Sequence, residues 1–219
     1  MSEEKSDEHF PSKRFELQLP ENGGISIFLL GCSRSGKTTM LRHLYKTYFQ
    51  HYITTFLSMN LHADIYKDFG SKMILMDEYY PEILQEMHHI NAETGNKFQF
   101  LYVNDDFVSH KIKNDPEVLR LLTLYRNAGM SSIQSFQGAT LMSPVGRAQV
   151  NFILIFKQNT PKEWERVIRE YLLGWLPEPM TMNERISWCR VATQDHQFIV
   201  VDQLNSECYI SKLKSDQLV

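Results

Sequence analysis

The chain has 219 residues, 42% of them hydrophobic and 22% charged, and a formal net charge of −3; this describes a soluble globular protein with room for one sizeable core and little for a second domain. No apolar run reaches the roughly 18 residues needed to span a bilayer, and no secretory leader opens the sequence, so a soluble, intracellular, non-secreted protein is expected. The three cysteines, Cys32, Cys189 and Cys208, have neither zinc spacing nor a disulfide framework, and the mild acidity excludes a monomer that coats nucleic acid by bulk charge.

The first residues, MSEEKSDEH, are nearly all charged or small and precede Pro11. They read as a mobile acidic tail, bounded at 1–13, ahead of one domain over 14–219. "FELQL" (Phe15 to Leu19) alternates as a short strand should, and Glu21-Asn22-Gly23-Gly24 is a turn. "ISIFLLG" then runs apolar into "GCSRSGKT", which fills G-x-x-x-x-G-K-[ST] from Gly31 to Thr38. Behind it Met40, Leu41, Leu44, Tyr45 and Tyr48 recur at helical spacing. Strand, glycine-rich loop and helix in that order form a phosphate-binding loop. Successive N–H groups and the helix N-terminus make a concave anion site, and glycine lets the backbone close without a Cβ clash. The binding set is Gly31, Cys32, Ser33, Arg34, Ser35, Gly36, Lys37, Thr38 and Thr39, with Lys37 reaching the β- and γ-phosphates of ATP and the Thr38 hydroxyl holding Mg²⁺.

"YITTFL" (52–57) reads as a second strand and "FQFLYV" (98–103) as a third. Asp115-Pro116 opens a helix that Gly129 stops. "SIQSFQ", ending in Gln137, and "NFILIF", ending near Lys157, are further strands separated by the loop "GATLMSPVGRAQV". Thr160-Pro161 opens the amphipathic helix "KEWERVIREYLLGWL", and "QFIVVD" with "CYISKL" suggests a closing hairpin. The fold expected is α/β: a single P-loop NTPase domain with a mainly parallel central sheet flanked by helices and a C-terminal β-hairpin.

Two acidic pairs compete for the role of Mg²⁺ ligand and water activator. In one register "MILMDEYY" supplies Asp77 and Glu78, with Asn104 as the polar sensor; in the other "FLYVNDDF" supplies Asp105 and Asp106, with Gln137 as sensor. Met76, Tyr80, Ile83, Met87 and Ile90 follow a helical period, which places Asp77 and Glu78 by a helix N-terminus, where a carboxylate is favoured without catalysis. "FLYV" also makes the better central strand, so the second register is preferred.

The run from "FLYVNDDF" through Arg126 and Gln137 to "SPVGRAQVNFILIF" with Arg147 resembles the poxvirus-type genome-packaging ATPases of the FtsK/HerA superfamily. The likeness covers about Ile25 to Phe156, and where that family carries G-R-H this chain has Tyr125-Arg126-Asn127. It implies a RecA/FtsK-like P-loop NTPase fold and an ATP-hydrolysing motor that drives double-stranded DNA into a preformed viral capsid during assembly in the host cell. It further implies a homo-oligomeric ring, pentamer or hexamer, docked on a capsid or portal vertex protein. Lys37, Asp105, Asp106 and Gln137 would then be catalytic, with Thr38 and Asp105 in the metal shell. Arg147, or else Arg126, would be an arginine finger for the neighbouring subunit. Two other functions fit the loop: an ATP-gated assembly or scaffold switch, and a small P-loop nucleoside or nucleotide kinase. The kinase would need an arginine-rich lid, whereas the loop between "SIQSFQ" and "NFILIF" has only Arg147. Lys162, Arg166 and Arg169 share a helix face that suits DNA phosphates or plain solvation, and His88-His89 reads as surface.

Overall fold

The computed structural model describes residues 10–21, 23–59, 73–107 and 110–213. Eight strands form one sheet in the order β3-β2-β4-β5-β1-β6-β7-β8. They are β1 (Ser26–Leu30), β2 (Ile53–Leu57), β3 (Met73–Met76), β4 (Phe100–Asp105), β5 (Met130–Phe136), β6 (Phe152–Ile155), β7 (Gln197–Asp202) and β8 (Glu207–Lys212). The first six run parallel, as crossovers through helices require, and β7 and β8 close the sheet antiparallel. The expected mainly parallel α/β sheet with a terminal hairpin is therefore the fold. Burial of β1 and β4 along their whole length explains why they read as near-continuous apolar runs, whereas β5 is equally buried with Ser131, Ser132, Gln134 and Ser135 in it.

Each sheet face has its own core. On one, Phe28, Leu30, Tyr102 and Phe136 meet helices α2 (Pro81–Thr94), α4 (Pro116–Ala128), α6 (Pro161–Val167) and α7 (Met182–Ala192), with Trp164 fully buried. On the other, Ile27, Leu29, Val103 and Leu154 meet α1 (Lys37–Leu44) and the π-helical turn Tyr45–Phe49 that continues it. Two short helices, α3 (His110–Lys113) and α5 (Pro144–Ala148), complete the set.

The strand expected over Phe15 to Leu19 does not form. Phe15 and Leu17 alternate because they lie across the α1 face of the sheet as a cover, and the segment bonds through side chains, with Phe15 N donating to Ser211 Oγ (2.9 Å) and Leu17 N to Tyr48 Oη (3.3 Å). The acidic tail expected over 1–13 lies outside the described residues up to 9; of its last four residues, Phe10 is buried edge-on against Trp188 at 4.7 Å, and the exposed Pro11 to Lys13 run beside β8, with Lys13 N donating to Ile210 O and Pro11 O accepting from Ile210 N. Residue 22 of the expected turn and residues 214–219 of the expected domain are also outside the described set.

Two further expectations are corrected. "MILM" is the edge strand β3, not the start of a helix, and α2 begins only at Pro81, its first residue. An edge strand has weak demands on pattern, and β3 exposes both Ile74 and Leu75, so the apparent period from Met76 was coincidental. His88 is buried, whereas His89 is exposed and faces Glu93 at 3.2 Å. Cys189 and Cys208 are buried free thiols, and burial pushes that of Cys189 up to about 12. In the π-helical turn Ile168–Leu172 that continues α6, the Arg169 side chain is held by Glu165 at 2.9 Å.

Candidate nucleotide-binding site

The site begins where β1 ends. Gly31 N donates to Phe136 O and Cys32 N to Lys157 O, so the loop is tied to the ends of both flanking strands, β5 and β6. A Cβ on Gly31 would lie 2.6 Å from Ser35 Oγ and 2.7 Å from Phe156 Cβ, space that only glycine leaves open. Gly36 turns the chain into α1 at φ 104, a left-handed conformation that L side chains rarely adopt. The first N–H groups of α1 then point into the loop's concavity without helical partners.

Lys37 is the first residue of α1 and only 4% exposed. Its Nζ donates to Gly31 O at 3.0 Å and Cys32 O at 3.2 Å, and pairs with Asp106 Oδ2 at 3.3 Å. Thr38 Oγ1 donates to Asp105 Oδ2 at 3.2 Å. Asp105 is the buried last residue of β4 and Asp106 follows it in a left-handed turn, φ 52. That turn is held from both sides. Asp106 N donates to Ser135 O, and Phe107 N donates to the side-chain Oδ1 of Asn104 at 3.1 Å. Gln137, one residue beyond β5, donates from Nε2 to Asp106 Oδ2 at 3.3 Å. Three segments of sequence thus meet at the Asp106 carboxylate.

Asp77 and Glu78 follow the edge strand, and the Glu78 carboxylate accepts from Tyr80 Oη at 3.0 Å in an exposed position. Arg147 is not brought to the loop. It sits on α5, where Nη2 pairs with Glu170 at 2.7 Å and Nη1 donates to Met142 O at 3.0 Å. Arg126 belongs to α4, and its side chain lies outside the described residues.

A cavity of about 340 Å³ opens on the loop, lined by Ser33 to Thr39 and Asp106, and farther on by Phe156, His196, Phe198 and Leu213. The last four went unrecognised in the sequence. No local motif marks them; they reach the site because β7 and β8 are added beside β6 and β1. A wider cavity, about 1090 Å³, lies at the other end of the strands, around Gly23, Ile53, Phe98 and Gly129, away from all of these groups.

No protein-family model matches the chain, and no curated protein matches it in sequence. Solved structures share its fold. The genome packaging NTPase B204 from Sulfolobus turreted icosahedral virus 2, in complex with sulfate, is similar at 16% identity and a TM-score of 0.65, over 88% of this chain and 98% of that one. The same protein with AMPPCP is similar at 18% identity and a TM-score of 0.63, over 88% and 100%. The pCW3 conjugation coupling protein TcpA, monomer form with ATPγS, matches at 14% identity and a TM-score of 0.60, over 88% of this chain and 62% of its own. The fold is that of a P-loop NTPase of the FtsK type. These neighbours give no support to the narrower poxvirus-type likeness.

Oxygen donors from Thr38 and Asp105 suit Mg²⁺, which takes one or two protein oxygens and leaves its remaining positions to phosphate and water. Among the described residues, no helix is long and apolar enough to cross a membrane.

Proposed function

We propose that this chain is an ATPase of the FtsK/HerA superfamily and the motor subunit of a viral DNA-packaging machine. The observation that carries the reading is the convergence of Lys37 and Gln137 on Asp106 Oδ2, each at 3.3 Å, beside the Thr38–Asp105 pair. The solved neighbours, a genome packaging NTPase and a conjugation coupling protein bound to nucleotide analogues, support it.

Phosphoryl transfer asks mainly for positioning and charge neutralisation. The loop amides and Lys37 hold the phosphates, and Thr38 and Asp105 hold Mg²⁺, which supplies charge neutralisation when bound. Asp106 orients the attacking water and accepts its proton as the γ-phosphoryl group passes to water and ADP leaves. Gln137 touches that carboxylate and sits at the end of β5, so it can transmit the state of the γ-phosphate to the rest of the fold. The trans arginine of a ring completes the site, with Arg147 the first candidate and Arg126 the second. Arg147 must leave Glu170 to act, which makes assembly a condition of turnover. Double-stranded DNA, a pentameric or hexameric ring, a capsid or portal vertex anchor and action during virion assembly all belong to this proposal.

The test is ATP hydrolysis against protein concentration, with and without duplex DNA. A rate per subunit that rises with both is the expected result. A rate flat in both refutes the ring mechanism, and leaves the nucleotide switch if binding persists.

A further inference from the structure

On the sheet face away from α1, two buried amides stand side by side without bonding each other. Gln134 of β5 is fully buried, and neither its Oε1 nor its Nε2 has a hydrogen-bond partner among the described residues. Its in-register neighbours are Phe28 on β1 and Asn104 on β4. Asn104 is fully buried as well. Its Oδ1 accepts from Phe107 N at 3.1 Å, whereas its Nδ2 has no partner among the described residues. Residues in register on adjacent strands point to the same side, and the strands lie about 4.8 Å apart, so the two amides are within reach of each other. Buried amide atoms are ordinarily bonded, and leaving three of them idle at one place is costly. A second arrangement, in which the two amides pair, relieves that cost.

The turn after β4 links this spot to the nucleotide site. Its two anchors both adjoin Gln134: Asp106 N donates to the carbonyl of Ser135, the next residue, and Phe107 N donates to Asn104, the cross-strand neighbour. At its outer end Asp106 is held by Lys37 at 3.3 Å, and a phosphate that takes over Lys37 frees that carboxylate. Resting on the ATPase reading, we propose that Gln134 is a positioning residue for hydrolysis. When nucleotide draws Lys37 away from Asp106, Gln134 Oε1 accepts from Asn104 Nδ2. That bond fixes the Asn104 side chain and, through Phe107 N, the turn that presents the Asp106 carboxylate to water. In the free protein the amides stand apart and Asp106 rests on Lys37; in the loaded protein the amides pair and the turn is braced from beneath. Coupling of this kind needs an element with two discrete arrangements that a ligand biases. The turn is such an element, because Asp106 sits in left-handed backbone, φ 52, that its surroundings must hold in place.

The experiment compares the full-length wild type, Gln134→Met, Asn104→Ala and the double variant. Each is followed by melting, by calorimetric titration with magnesium ATP, and by single-turnover phosphate release at the protein and duplex DNA concentrations where the wild type is fastest. Methionine matches glutamine in length and carries no amide, so Gln134→Met removes idle polar atoms from the resting core. Expected are a Tm equal to or above that of the wild type, magnesium ATP affinity unchanged within about twofold, and hydrolysis slower by about three- to tenfold, the effect of one hydrogen bond made only in the loaded state. The double variant should hydrolyse no more slowly than Asn104→Ala, because the partner of Gln134 is already gone. Hydrolysis by Gln134→Met within twofold of the wild type refutes the proposal, whatever its Tm. So does a loss of magnesium ATP affinity that accounts for the slower rate, and so do losses that multiply in the double variant. If Gln134→Met does not fold, Gln134→Leu takes its place with the same expected outcomes. If the wild type binds magnesium ATP and never hydrolyses it, the ATPase reading falls and the positioning role with it.

Discussion

Replacing Asp106 by Asn should separate binding from hydrolysis with opposite signs. In the free protein Lys37 is not waiting for phosphate; it is held by two carbonyls and by Asp106 at 3.3 Å. A phosphate that takes over Lys37 must displace that carboxylate. Asp106 is 30% exposed on its side chain and Lys37 only 4%, so the pair lies between the surface and buried limits, with a net worth of about 1–2 kcal/mol. Asn removes the competing charge while keeping the side chain's size, so magnesium ATP should bind about 5–30-fold more tightly. Hydrolysis should fall by about 10²–10⁴, the range for loss of a positioned general base. Calorimetry gives the first quantity and single-turnover phosphate release the second. Glu78→Gln, far from the loop and paired only with Tyr80 among the described hydrogen bonds, should change either by less than about twofold, since an exposed side chain away from the site contributes little. Weaker binding with hydrolysis retained in Asp106→Asn, or loss of hydrolysis in Glu78→Gln, would refute the assignment.

Three further outcomes follow from the same coordinates. Gly31→Ala drives a methyl group to 2.6 Å from Ser35 Oγ and 2.7 Å from Phe156 Cβ; overpacking of about 1–3 kcal/mol should lower Tm by a few to about 10 °C and abolish nucleotide binding. Arg147→Ala cuts the tie to Glu170 and Met142 and should lower Tm by about 2–8 °C, from about 1–2 kcal/mol for a half-buried pair. If Arg147 is the trans finger, the same variant loses the acceleration of ATPase with concentration; a Tm loss with that acceleration intact assigns Arg147 to bracing alone. His88 has its pKa lowered first by burial and then by Arg120, with Glu117 opposing. The folded state therefore takes up the His88 proton at lower pH than the unfolded chain. Its contribution to stability is present above about pH 6.5 and is lost as the pH falls through the lowered value. Tm measured from pH 7 to 5 should fall, and His88→Gln should flatten that fall, whereas His89→Gln should not.

What was legible depended on the range of the interactions. Local signals were read correctly: Asp115 caps α4 by accepting from Glu117 N and Val118 N, Pro116 starts the helix and Gly129 ends it at φ 60. Thr160 and Glu163 form the capping box of α6. The same box recurs at Thr181 and Glu184 and opens α7; this signal was present in the sequence and was passed over. Within the expected loop, Ser143-Pro144 likewise caps α5. Features set by distant residues were not legible. Nothing in "FELQL" distinguishes a strand from a cover laid across one, because both bury alternate side chains. His196, Phe198 and Leu213 carry no mark of a site until β7 and β8 are placed beside β6.

Strand order also separates the two acidic pairs in space, which local pattern could only rank. Neighbouring strands lie about 4.8 Å apart. β3 is four places from β1 in the sheet and β4 two, so Asp77 stands off by about 19 Å and Asp105 by about 10 Å at strand level. α1 starts at the end of β1 and lies over the sheet face that Val103 shares, and its first turn spans the shorter gap: Thr38 Oγ1 meets Asp105 Oδ2 at 3.2 Å. No side chain on α1 spans the longer one. Asp105 faces α1 because it is an even number of residues from Val103, whereas Asn104 faces the other way and is left to clamp Phe107 N. The two-residue period of the strand thus points neighbouring residues different ways, one toward Thr38 and one toward the turn that presents Asp106. Moving the pair by one residue would exchange them, so inserting a single residue within β4 should abolish hydrolysis even where the sheet still forms.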